Sequence, residues 1–235
     1  MTDNAAHGST APSSSPPPRM TAQRRSGRAS VPTTTAGSVR IIGGRWRGTR
    51  LPVADVAGLR PSSDRVRETL FNWLQPWLSG ARVLDLFAGS GALGLEAVSR
   101  GATQAVLVER DAQLVQALRA SVERLQAADA VQVIRADALT WLQAPLFGRF
   151  DGVFLDPPFD AQLWPQVLPL LTPWLAPQAW LYLESAADAP QPAGPGWLLH
   201  RESRTRQAHC ALYRRSGDAA ATLVSSSMPS LDTCP

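Results

Sequence analysis

Two stretches of the chain hold residues whose types and spacing could do chemistry: DLFAGSGALG at 85–94 and DPPF at 156–159. In the second, a carboxylate, two prolines and an aromatic ring follow the apolar run VFL. Consecutive prolines there, Pro157 and Pro158, make a stiff loop. An exocyclic amine on a nucleic-acid base is a poor nucleophile, because its lone pair is delocalised into the ring. Hydrogen bonds from its N–H groups to Asp156 and to the Pro157 carbonyl would favour a tetrahedral nitrogen and aim the lone pair at a methyl donor. Phe159 would stack on the base and hold it in line. The carboxylate would also stabilise the positive charge that develops on nitrogen. Proton loss can follow methyl transfer, so no strong base is required.

The first stretch contains GSGALG, which has the glycine spacing of a dinucleotide-binding loop. Gly89 and Gly91 allow a tight turn and close approach of a ligand around Ser90, and Gly94 allows close helix–strand packing. Glu109 lies 18 residues beyond Gly91, where an acid accepts hydrogen bonds from a ribose diol. NAD and S-adenosylmethionine sites share that feature. Asp85 separates them, because an NAD loop usually has an apolar residue there. A carboxylate suits a ligand with an ammonium and a sulfonium, and suits a pyrophosphate poorly; it could also simply hold the loop backbone. Asp137, after VIRA, is placed to bond an adenine amino group or to cap a helix. An NAD-dependent oxidoreductase is the competing reading. It leaves DPPF without a use, and the chain has no lysine at all.

The elements that must position these residues read as strand, helix, strand. ARVLDLFA, QAVLVE, VQVIRAD, DGVFLD and WLYLES are strands. GALGLEAVSRG, DAQLVQALRASVERLQAA and the proline-interrupted LWPQVLPLLTPWL are helices, and WLLHRES with AHCALYRR closes as an antiparallel pair. That pattern predicts an α/β fold: a doubly wound, mainly parallel seven-stranded sheet with helices on both faces. Upstream, VRIIGGRWRGTRLPV predicts a hairpin around Gly43-Gly44. In GLRPSSDRVRETLFNWLQPWL, Asp64 is a candidate N-cap, and Val66, Leu70, Trp73, Leu74 and Trp77 recur at helical spacing. The expected organisation is a disordered tail at 1–38, a basic arm and hairpin at 39–68, a catalytic domain at 69–216 and a flexible tail at 217–235.

Composition sets outer limits. The 235 residues are 44% hydrophobic, enough for a sizeable core. No apolar run reaches the ~18 residues of a membrane span, and the first residues lack a secretory stretch. We therefore expect a cytoplasmic monomer with no membrane partner. Cys210, Cys234, His7, His200 and His209 have no ligand spacing, so no metal site is expected. The net charge is +4, and every one of the 23 basic residues is arginine. Residues 39–68 carry seven arginines against Asp55, Asp64 and Glu68, with Trp46 interleaved, a composition suited to phosphate contacts and stacking on RNA.

Together these motifs resemble the class I S-adenosylmethionine-dependent amino-methyltransferases, and more closely the RsmD family, which methylates guanine N2 in small-subunit ribosomal RNA. The likeness runs from 39 to about 215. It rests on RIIGGRWRG at 40–48, LRPSSDRVRETLFNWL at 59–74, DLFAGSGALGLEAVSRGA at 85–102 and DPPF. The family's RPTxDR stands here as RPSSDR, which keeps a hydroxyl and loses a methyl. The resemblance implies that Asp85, Gly89, Ser90, Gly91, Glu109, Asp137 and Ala138 contact S-adenosylmethionine. It implies that 156–159 hold the base, and that the 60–72 segment closes over the cofactor. By the same resemblance Arg40, Arg45, Trp46, Arg47, Arg50, Arg60, Arg65 and Arg67 meet the RNA. The expected partner is small-subunit rRNA in an assembled or assembling subunit. A methyltransferase acting on another RNA or on DNA is the near alternative.

Overall fold

The computed structural model describes residues 37–53, 63–145, 148–157 and 163–216. The basic stretch after Gly37 forms an antiparallel pair, β1 (Ser38–Arg40) and β2 (Arg50–Pro52). Gly43-Gly44 is not the two-residue turn that the sequence suggests. Ile41 and the 48–49 backbone close a wider loop through Ile41 N to Thr49 O (2.9 Å) and Gly48 N to Ile41 O (2.8 Å). A 3-10 turn, Gly44–Trp46, sits inside it.

The first long helix, α1 (Asp64–Leu78), is capped by Ser63 rather than Asp64: the Ser63 hydroxyl accepts from Val66 N. Leu70, Phe71, Leu74 and Leu78 are buried, while Val66, Trp73 and Trp77 pack at the margin of the core. The helix runs without a break across the 68/69 boundary expected between arm and domain, so its arm-side residues belong to the same rigid element.

Next come β3 (Arg82–Asp85), α2 (Ala92–Ser99), β4 (Gln104–Glu109), α3 (Ala112–Arg124), β5 (Val131–Arg135), the short α4 (Ala138–Leu142), β6 (Phe150–Leu155), α5 (Trp164–Leu171) and β7 (Leu175–Ala186). β8 (Trp197–Arg204) and β9 (Ala208–Arg215) complete the elements of the described residues. The sheet order is β5-β4-β3-β6-β7-β9-β8. The first five of these are parallel, and β9 runs antiparallel between β7 and β8. The chain leaves β3 toward β4 on one side and returns to β6 on the other, so the order reverses between β3 and β6. One face of the sheet packs Leu70, Phe71, Leu95 and Leu118 against Val83, Phe154 and Tyr182. The other stacks Trp141 on Trp174 (4.4 Å) beneath Val153 and Leu181. Among the described residues, no helix is long and apolar enough to cross a membrane.

One carboxylate joins the arm, α1 and α2. Glu96 in α2 is fully buried. Its Oε2 accepts from Ile42 N (3.1 Å) and Arg67 Nη1 (3.2 Å), and its Oε1 accepts from Gly43 N (3.0 Å) and Arg100 Nε (2.8 Å). Three residues on, Ser99 Oγ donates to Gly43 O (2.6 Å) and accepts from Trp46 N (3.0 Å). At the other end of α2, Val39 and Val53 pack on Ala92. The hairpin therefore lies along α2, with its open ends beside the helix start and its tip at the helix end. Eight helical residues separate the two by about 12 Å.

Removing this carboxylate leaves a buried guanidinium and two amides without their acceptor. Glu96→Ala should cost about 3–5 kcal/mol of unfolding free energy, as for other broken buried pairs. Urea or guanidinium unfolding monitored by tryptophan fluorescence measures it. A loss under 1 kcal/mol would mean that the arm is held by its apolar contacts alone.

Candidate active site

The strand order reversal gathers the expected cofactor residues at one edge of the sheet. The loop between β3 and α2 turns sharply. Gly91 caps α2 in the left-handed region (φ 76°) and its N–H returns to Ala88 O at 2.7 Å. Gly94 sits where a Cβ would strike Leu107 of β4, which is why helix and sheet approach so closely here. Ser90 is half-buried between the two loop glycines.

Asp85 ends β3 and is buried; its Oδ2 accepts from Gly94 N at 3.0 Å. Burial pushes its carboxyl up to about 7, against the lowering effect of the Gly94 N–H and with a further rise from the charge of Glu109. Glu109 ends β4, one strand away. Its Oε2 accepts from Gly89 N (3.0 Å) and its Oε1 from Asp111 N (2.8 Å), so it ties the glycine loop to the next connection. Asp137 caps α4 and is exposed, its Oδ1 accepting from Leu139 N and Thr140 N at 3.1 Å each, and Ala138 opens that helix buried.

Asp156 follows β6 directly, half-buried, and Pro157 beside it is buried; Pro158 and Phe159 lie outside the described residues. Parallel pairing of Leu155 with Leu183 brings Asp156 alongside Glu184 of β7. Strand alternation puts Asp85, Asp156 and Glu184 on the face that carries Val83, Phe154 and Tyr182. Desolvation holds the Asp156 carboxyl well above the usual carboxylate range, and the charges of Glu184 and Asp85 raise it further. Tyr182 donates from its hydroxyl to Glu184 Oε2 (2.9 Å), and its own ionisation is pushed well up by burial and by Glu184. Cys210, across from Glu184 in β9, is a buried thiol pushed up to about 12, chiefly by burial, which removes it as a nucleophile.

Among the arm residues expected to meet RNA, Arg40, Arg45, Arg47, Arg50 and Arg65 are exposed, and Trp46 is half-buried. Arg45 stacks on Trp46 at 4.2 Å, and Arg40 pairs with Asp64 (3.3 Å). Arg60 lies outside the described residues. Arg67 departs from the expectation. It is 1% exposed, and donates to Glu96, to Asp64 Oδ1 (2.7 Å) and to Arg40 O (2.7 Å), so it is an interior strut and not an RNA contact. Sequence reasoning missed Glu96, Tyr182 and Glu184. Each had a signal: a single charge inside the apolar helix GALGLEAVS, and two polar groups at i, i+2 in the strand WLYLES.

The chain matches the family model Conserved hypothetical protein 95 over residues 39–214. It is 47% identical over 183 residues to Ribosomal RNA small subunit methyltransferase D of Escherichia coli K12, covering 77% of this chain and 91% of that one. The Haemophilus influenzae protein of the same name is 42% identical, covering 76% and 94%. A solved structure of the Escherichia coli protein yhhF superposes with a TM-score of 0.70 at 45% identity, over 77% of this chain and 99% of that chain. Carrying the paired strand-end acids, the glycine turn and the clasped hairpin along with this extent of identity, the chain belongs to the RsmD family, with the class I methyltransferase fold.

Proposed function

We propose that the protein transfers a methyl group from S-adenosylmethionine to the N2 amine of a guanine in small-subunit ribosomal RNA. The observation that carries this reading is the placement of Asp85 and Asp156 at the ends of adjacent parallel strands, on one face, where the strand order reverses. A buried Asp85 and a desolvated Asp156, raised further by the charges of Glu184 and Asp85, fit a cationic ligand, and fit the pyrophosphate of NAD poorly. Asp85 would hold the amino-acid end of the cofactor, Glu109 its ribose diol, and Asp137 with Ala138 its adenine, while Gly89, Ser90 and Gly91 line its path. When bound, the cofactor supplies a methyl group activated on a sulfonium.

The chain's own residues supply orientation and charge. Asp156 and the Pro157 carbonyl accept the two N–H groups of the target amine, and Phe159 stacks on the ring. As nitrogen forms its new bond to carbon it becomes positive, and Asp156, with Glu184 and Asp85 behind it, stabilises that charge. The amine then releases one proton to solvent and returns to neutrality. A guanine in structured RNA must be unstacked or already looped out to enter. The basic arm and the relatives' shared name support ribosomal RNA as the polymer.

Incubating the protein with labelled cofactor and unmodified small subunits, then mapping the label by mass, should place one methyl group on one guanine of that rRNA. Label on DNA or on another RNA would overturn the choice of substrate. NAD binding without S-adenosylmethionine binding would overturn the reaction. Asp156→Ala should lower methyl transfer by at least about 10²-fold, with cofactor affinity within a few-fold of the parent; near-normal turnover refutes its role.

A third expectation follows from Asp85. Its ionised form binds the cationic cofactor, so affinity should rise with pH. With a carboxyl at about 7, the dissociation constant should fall about tenfold from pH 6 to pH 8 and level off above. In Asp85→Asn that slope should vanish, and affinity at pH 8 should drop. Calorimetric titration across this range reads both. An unchanged slope in the variant would detach Asp85 from the cofactor.

A further inference from the structure

The arm lies against α2 and α3, over the β3–β4 side of the sheet; Arg124 of α3 donates to Arg50 O at 2.6 Å. The other flank of the site has a basic element of its own. Because β9 runs antiparallel to β7, with Ala186 paired to Ala208, the turn at 205–207 emerges at the same sheet edge as Asp85 and Asp156. Three strand intervals of about 4.8 Å separate β6 from β8, so the turn stands roughly 14 Å from the DPPF strand.

The turn holds Arg206, Arg204 ends the strand that enters it, and Arg201 lies three residues further back in β8. Arg201, Arg204 and Arg206 are all exposed. Among the described residues none of them pairs with an acid. Of the acids nearby, Glu202 is drawn back onto the buried His209, whose Nε2 lies 2.8 Å from Glu202 Oε2, and Asp188, beside the Ala187 whose N–H meets Gln207 O at 3.2 Å, makes no ion pair with these arginines among the described residues. Thr205 closes the turn: its N–H donates to Ala208 O (2.9 Å), and its hydroxyl accepts from Ala208 N (2.9 Å) and Gln207 N (3.2 Å). Two guanidinium groups without acidic partners at a rigid turn, Arg204 at its entry and Arg206 within it, form a ready-made phosphate contact on a backbone already ordered by the fold.

We propose that the β8–β9 turn is a second RNA-contact surface, in which Arg204 and Arg206 hold phosphates of the RNA whose target base enters at Asp156. This rests on the rRNA methyltransferase reading above, and deepens it. Contacts on both flanks of the site require a substrate that spans it, so a folded RNA or subunit is held at two separated places while the base is presented between them.

The test is the double variant Arg204→Ala/Arg206→Ala, with filter binding to small-subunit rRNA across a salt series and methylation of unmodified subunits. Losing two phosphate contacts should weaken RNA binding about tenfold or more, and reduce the slope of log K against log salt by about 1.5. KM for the subunit should rise accordingly, and cofactor affinity should stay within twofold. Thermal unfolding at the parent temperature shows that the exposed substitutions leave the fold intact. An RNA affinity and salt slope equal to the parent's would overturn the proposal. Binding is read without turnover, so failure of this surface is separable from failure of the methyltransferase reading. In the latter case the parent itself would not label the subunit.

Discussion

The architecture hangs on a buried carboxylate at Glu96. A charge so deep is tolerated only if its acceptor sites are filled, and four donors from three chain segments fill them: two backbone amides of the arm, Arg67 of α1 and Arg100, the residue that caps the end of α2. Each segment is thereby fixed to the same helix, whose first residues follow the glycine turn. The arm cannot shift along α2 without stripping Glu96 of donor partners, and Arg67 cannot leave without exposing the same charge. Arg67 Nε has no partner among the described residues, so even this network carries a cost in desolvation. What it secures is position: the hairpin, α1 and the glycine turn keep one relation to each other.

At the site the electrostatics run the other way. Around Glu96 every negative charge has a positive or N–H partner within reach. At the strand ends, Asp85, Asp156 and Glu184 lie on one face; burial raises the proton affinity of Asp85 and of Asp156, and at Asp156 the charges of Glu184 and Asp85 add to it. Such an arrangement destabilises the ionised protein on its own and is relieved by a cation. Ionised Asp85 costs folding energy as pH rises from the ordinary carboxylate range toward 7, because the folded state binds the proton more tightly than the unfolded one. A ligand with an ammonium and a sulfonium reverses that cost, whereas a pyrophosphate adds to it. The glycine turn alone serves either ligand class; in the proposed function it is the carboxylates that choose between them.

Much of this was legible in the residues. The strand-ending acids, the glycine spacing and the alternation of apolar runs with helical stripes led to the right sheet, because a doubly wound fold leaves little freedom once its strands are marked. The partnerships were not legible. Ile42 and Glu96 lie 54 residues apart, and no local pattern connects a backbone amide in a loop to a carboxylate in a helix. The placement of β9 between β7 and β8 is likewise a tertiary matter, since a hairpin reads the same with either strand innermost. The division expected at 68/69 falls inside α1. The helix that crosses it is continuous because its core stripe begins at Arg67, a charged residue that composition assigns to the surface.

Arginine content is thus a poor guide to arginine function in this chain. With no lysine present, every cationic task falls to one residue type, and those tasks differ. Arg67 uses its planar fork to reach three acceptors on three elements from inside the core, a geometry that a single ammonium on a flexible stem matches poorly. Arg45 lies over an indole, Arg214 over Trp77 at 4.3 Å, and Arg82 donates to the Arg149 carbonyl at 3.0 Å. Only after these structural uses are set apart does a geometric pattern emerge among the rest. The exposed arginines of the β8–β9 turn emerge at the sheet edge that carries the acidic strand ends, and those of the arm lie along α2 and α3 on the other side of the site, with Arg45 and Arg47 at the hairpin tip beside the far end of α2. A polyanion drawn toward the positive flanks meets acids at the centre that repel its phosphates and accept from its base amines. The charge pattern therefore favours backbone at the rim and a base in the middle, which is the disposition that methylation of a base amine requires.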